Sequence, residues 1–143
     1  MPPSEPIVRL GRLLDQVREA PESSRSLDIA IALELDGFER DADGLLCRRM
    51  NEGVLQVPGG SRDLLVPQYT GSLDAAADFV RRRLPDLEWA CGKRQGVHVG
   101  RVQASALCVV EDDAATAPLA LMAAALGALD QLARAAEDER ALA

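Results

Sequence analysis

Aromatic side chains are almost missing from this chain: Phe38, Tyr69, Phe79 and Trp89 are the only four in 143 residues. A core must then be filled by Leu, Val, Ile and many alanines, and such small side chains reach native packing density only where backbones come close together. Ala-lined helices pressed on a sheet meet that requirement. Hydrophobic residues make up 48% of the chain and charged residues 27%, an ordinary globular balance that excludes a mainly disordered protein. A chain of this length folds as one domain with one core.

Periodicity outlines the elements. Ile7, Leu10, Leu13, Leu14 and Val17 recur at helical spacing opposite Arg9, Arg12, Asp15, Arg18 and Glu19, which predicts an amphipathic helix ending near Pro21. Leu27 to Phe38 is ambiguous, because Leu27, Ile29, Ile31, Leu33 and Leu35 alternate like a strand. Ala30, Ala32, Glu34 and a stop at Gly37 favour a helix there. Turn signals at Asp43-Gly44, Asn51-Glu52-Gly53 and Pro58-Gly59-Gly60 then separate short runs, Gly44 to Cys47 and Val54 to Val57, that read as short strands or irregular extended chain.

Thr70 or Ser72 can cap a third helix through Leu73, Ala76, Ala77, Phe79, Val80 and Leu84, with Asp74 near its positive end. Leu87 to Lys93 alternates as a strand, Arg94-Gln95-Gly96 reverses the chain, and Val97 to Val110 returns with a bulge or turn near Gly100. The last part of that return is apolar on both sides, as a strand covered by two layers would be. Glu111, Asp112 and Asp113 read as a solvated turn before a long helix with Thr116 as cap, Pro118 in its first turn and the stripe Leu119, Met122, Leu126, Leu129 and Leu132. From Ala135 onward the tail has no stripe and is expected to fray. The predicted class is α/β in the broad sense (α+β), with a small antiparallel or mixed sheet and helices on one or both of its faces. Residues 1–25 form a helical extension packed on the domain, 26–134 the domain itself, and 135–143 the tail.

Chemistry is sparse. There is no phosphate-binding glycine loop with its lysine, no dinucleotide fingerprint, no nucleophile elbow and no paired-histidine zinc pattern. His98 is the only histidine, so any Cys-His or Ser-His scheme must use it, with Cys91 or Cys108 as the neighbouring thiol. A solvent-facing or helix-facing hairpin histidine is the simpler account. Cys47, Cys91 and Cys108 lack the short paired spacings of zinc sites and read as free thiols. No cofactor, metal or catalytic set is expected.

The net charge of −7 repels phosphate backbones, which argues against nucleic acid as a partner. No stretch reads as a secretion signal or a membrane span, so a cytoplasmic, non-membrane protein is expected. Arg81, Arg82 and Arg83 complement the negative end of the third helix. The one arrangement suited to a ligand is the pair of loops 58–62 and 67–72, where Arg62, Tyr69, Thr70 and Ser72 with nearby backbone donors could accept an anion. A turn and a helix cap explain the same residues without a ligand.

Three stretches together resemble the small phage and prophage "ABA sandwich" domain: LDIAIALELDGF (Leu27 to Phe38), VPQYTGSLDAAADF (Val66 to Phe79) and TAPLALMAAALGAL (Thr116 to Leu129). The resemblance spans roughly residues 26 to 130, and its second stretch is the most distinctive. The chain departs from the family pattern in carrying Phe38 where a tryptophan is usual and in its extra N-terminal helix. The resemblance implies a three-layer α/β/α sandwich fold and a phage or prophage origin, and it brings no catalytic residues. The functional expectation is an accessory protein that binds a protein partner, with self-association left open. The alternatives are a small anionic-ligand binder or sequestering protein and, last, a small hydrolase-type enzyme.

Overall fold

A computed structural model describes residues 3–40, 42, 44, 46–50, 53–55, 66–105 and 108–142, with 47–50, 53–55, 105 and 108 as backbone only. The chain is α+β, with four helices and two antiparallel three-stranded sheets among these residues. In order they are α1 (Glu5–Glu19), α2 (Arg25–Leu35), β1 (Phe38–Arg40), β2 (Leu46–Met50), β3 (Gly53–Leu55), α3 (Leu73–Arg83), β4 (Glu88–Arg94), β5 (Val97–Ser105), β6 (Cys108–Ala114) and α4 (Ala117–Leu142). The sheets are ordered β1-β2-β3 and β4-β5-β6.

The predicted stripe of α1 is buried in full at Ile7, Leu10, Leu13, Leu14 and Val17. The ambiguous segment is helix up to Leu35. Gly37, at φ +76°, takes the left-handed conformation that ends it. Gln95 and Gly96 both have positive φ, 54° and 82°, as a two-residue hairpin turn between β4 and β5 requires.

Helix α4 organises the rest. Its residues Leu119–Ala128 are all buried, around the whole circumference of the helix, because it lies between the β4–β6 sheet on one side and α1 and α3 on the other. Among the described residues, α4 packs directly on this sheet and α1 and α3 pack on α4. An added Cβ at Gly100 would stand 2.3 Å from the Ala120 carbonyl oxygen, and one at Gly127 would stand 3.1 Å from Val110 Cγ1. Gly100 therefore sits inside β5 as the point where a helix backbone touches the strand, where the sequence suggested a break. The reversal falls further on, between β5 and β6.

Two expectations change. The acidic triad Glu111, Asp112 and Asp113 belongs to β6, since alternation puts Glu111 and Asp113 on the open face, where they keep their water. Asp112, on the other face, receives Arg18 of α1 at 2.7 Å. Residues 135–142 continue α4 as helix, because Ala, Glu and Arg favour that conformation and the Ser4 N–H meets Glu137 at 3.5 Å. By length and composition α4 could also cross a membrane, and its burial in the core accounts for that apolarity.

The close contact at Gly100 sets the helix-to-sheet distance. Gly100→Ala is expected to destabilise the fold by about 1–3 kcal/mol through overpacking against backbone that cannot rotate away. Gly92→Ala, where an added Cβ meets nothing within 4 Å, should change stability by less than about 0.5 kcal/mol. Equal urea midpoints for the two variants would refute the close approach.

Candidate functional site

The loop of residues 66–72, on which the sequence places three of its four candidate ligand residues, is bound to both ends of α2. At the helix start, Ser24 is the cap, its Oγ accepting from the Leu27 N–H at 3.2 Å. Asp28 lies in the first turn, where a carboxylate suits the helix dipole, and it is buried. Its Oδ1 accepts from the Thr70 N–H at 2.9 Å and from the Thr70 hydroxyl at 2.7 Å. Thr70 Oγ1 in turn accepts from the Ser24 N–H at 2.9 Å. Arg25 completes this group, donating to Asp28 Oδ2 at 2.9 Å and to the Val66 carbonyl at 3.0 Å.

At the other end, Asp36 is the C-cap, where the helix dipole disfavours a carboxylate. The cost is offset by donors: Arg82 of α3 approaches with both terminal nitrogens, Nη1 to Oδ1 at 2.5 Å and Nη2 to Oδ2 at 3.2 Å, while the Tyr69 hydroxyl donates to Oδ2. Arg82 Nε holds Asp78 at 2.8 Å. The Tyr69 ring packs edge-on against Phe79 with centroids 5.5 Å apart. Asp36 follows Asp28 by eight positions, roughly 12 Å at the helical rise, so the two groups act as separate anchors.

Electrostatics follow the contacts. Burial first, and then the hydrogen bond to Asp36, push the Tyr69 phenol far above its ordinary range. The hydrogen bond to Asp36 likewise raises the Arg82 guanidinium. Tyr69 is 0% exposed and Thr70 1%, and the polar atoms of both face carboxylates. Ser72 caps α3, its Oγ accepting from the Ala75 N–H at 3.2 Å. Tyr69, Thr70 and Ser72 are thus brought together as a clamp that orders the chain, with their polar atoms already engaged. Arg62 and the glycine turn 58–60 lie outside the described residues.

The sequence reading missed Asp28, Asp36, Arg25 and Arg82. One signal was present: Asp28 shares a helix face with Ile31 and Ala32, a position that an apolar stripe would give to another hydrophobe. Arg82 was explained by the helix dipole, which applies to Arg81 and Arg83 equally.

Other candidates are dispersed. His98 pairs across to Lys93 and Ala114, while Cys91 pairs to Gly100, so thiol and imidazole sit diagonally on neighbouring strands. The Cys91 thiol points at the Ala117 carbonyl at 3.8 Å and is raised by burial, unlike an activated nucleophile. Cys47 and Cys108 have no described side chain. No group of three or more metal-ligating side chains occurs among the described residues. A groove of about 710 Å³ between the start of α1 and the end of α4 is lined by Pro6, Ile7 and alanines together with Ser4, Glu137 and Arg140.

Among the described residues, no element packs on the face of the β4–β6 sheet turned away from α4. Register and burial place Ala90, Val97, Val99, Arg101, Val109, Glu111 and Asp113 on it. Val97 is 43% exposed and Val109 37%. Glu111 accepts from Arg94 at 2.7 Å and Arg101 at 3.3 Å, which keeps its carboxyl below the usual range, Arg94 contributing most.

No family model, no curated protein and no solved structure matches this chain.

The clamp predicts an alkaline limit to stability. Folding raises the phenol's pKa above its ordinary 10.0, so folding favours the protonated form; the contribution is complete below pH 10 and is lost as pH rises beyond it. Tyr69→Phe should remove this alkaline loss. As Tyr69 is the only tyrosine, phenolate absorbance should appear together with unfolding, and its appearance in the folded protein near pH 10 would refute the burial. At neutral pH, Asp36→Ala strands the Tyr69 hydroxyl and part of Arg82, and a loss of about 1–3 kcal/mol is expected in urea unfolding.

Proposed function

We propose that this is a non-enzymatic accessory protein of phage or prophage descent that works in the bacterial cytoplasm by binding another protein through the open face of its β4–β6 sheet. The observation that carries the reading is that face itself. Among the described residues only one side of the sheet is covered, and the other sets exposed Val97 and Val109 beside the Arg94–Glu111 and Arg101–Glu111 pairs. Apolar side chains interleaved with ion pairs match the make-up of transient protein interfaces. The ion pairs are too exposed to add much stability, so the pattern is better accounted for by recognition than by folding. The partner that fits is a protein surface with an apolar patch flanked by charges of both signs. The phage descent rests on the three resembling stretches, and the free Cys91 thiol suits a reducing compartment.

The test compares the native chain with Val97→Lys/Val109→Lys as bait in a host lysate. Both sites are exposed, so the melting temperature should stay within a few degrees. A protein captured by the native chain should be reduced at least tenfold with the double variant. Equal capture by both baits, or capture by neither, would overturn the proposal.

A further inference from the structure

Strand β4, seven residues from Glu88 to Arg94, is an edge of its sheet. Among the described residues no backbone hydrogen bond from another element reaches it beyond its pairing with β5. Such an edge is a template for a further strand. Its side chains divide by face: Trp89, Cys91 and Lys93 point to the α4 side, as the Cys91 contact with Ala117 shows, and Glu88, Ala90, Gly92 and Arg94 point to the open side.

A second copy joined by a twofold axis must run antiparallel and set each residue opposite one of the same face. Registers centred on Ala90, Cys91 or Gly92 satisfy that rule near the middle of the strand. Only the Cys91-centred register uses all seven residues. It also sets Glu88 against Arg94 on the open side and Trp89 against Lys93 on the helix side, each twice by symmetry. The first is an ion pair and the second a cation over an indole. The end charges of β4, Glu88 and Arg94, are opposite in sign about its centre, so two copies attract in the one register that pairs the whole strand. Charges placed only to keep edges apart would instead meet like with like. Arg94 is 68% exposed while it holds Glu111, which leaves it free to share a second carboxylate.

We infer that the chain forms a homodimer in which β4 pairs with β4 of a second copy about Cys91, making one continuous six-stranded antiparallel sheet. The dimer leaves the open faces of both copies uncovered, so it stands or falls separately from capture of another protein on that face.

Sedimentation velocity on the full chain should show a dimer. Glu88→Arg, an exposed site, sets arginine against Arg94 at both ends and should weaken association at least tenfold with an unchanged circular dichroism spectrum. Arg94→Glu added to it reverses both charges and should restore the dimer. Directly opposed residues have Cα atoms about 4.5–5.5 Å apart, within disulfide range. Mild oxidation of the native chain should therefore yield a linked peptide pair joined Cys91 to Cys91. A monomer at every concentration up to the solubility limit would overturn the inference. So would a dimer indifferent to Glu88→Arg, a failure of the charge reversal to restore it, or cross-links confined to Cys47 or Cys108.

Discussion

Everything in this fold depends on how near α4 comes to β5. At Gly100 the space for a side chain is already filled by the backbone of Ala120. A chain with four aromatic residues has few large groups to fill a gap, so density comes from removing the gap. Alanines at 120, 123, 124, 125 and 128 and Gly127 let the helix be approached from several directions at once. Over Leu119–Ala128 the helix has no wet face, and the run of apolar residues there follows from being enclosed by the fold.

The enclosure has a consequence for the surface. Because α1 and α3 cover the far side of α4, the described helices are committed to one side of the β4–β6 sheet. The opposite face is left to strand alternation alone, which supplies Val, Arg, Glu and Asp in turn. Among the described residues that face therefore stays open.

The polar clamp solves a different problem. Loop 66–72 begins the approach to α3, with Val66 and Tyr69 as its core residues and polar groups between and after them that need partners. Two buried carboxylates, one at each end of α2, take its backbone and hydroxyl donors, and an arginine satisfies each carboxylate. Removing one member of such a group exposes the desolvation cost of the others, so its worth lies in positioning more than in net stability. Asp36 shows the point: it sits at the unfavourable end of the dipole and is held by partners from α3 and the loop.

Local signals in the sequence were readable where one face of an element settles its fate. The stripe of α1, the stop at Gly37, the cap at Ser72 and the reversal at Gln95-Gly96 each follow from side-chain spacing or backbone freedom within a few residues. Long-range choices were not readable. Leu119–Ala128 is apolar in every direction, and such a pattern says that a helix is buried without saying between which layers. Glu111-Asp112-Asp113 resembles a turn until Arg101, Arg94 and Arg18 are known to stand beside it. Tyr69 and Thr70 carry the donors of an anion site, and only the fold reveals that the anions they meet are the chain's own Asp36 and Asp28. The same polar residues serve a ligand or a clamp depending on what the fold brings opposite them. Here the carboxylates arrive from α2 and occupy the donors from within.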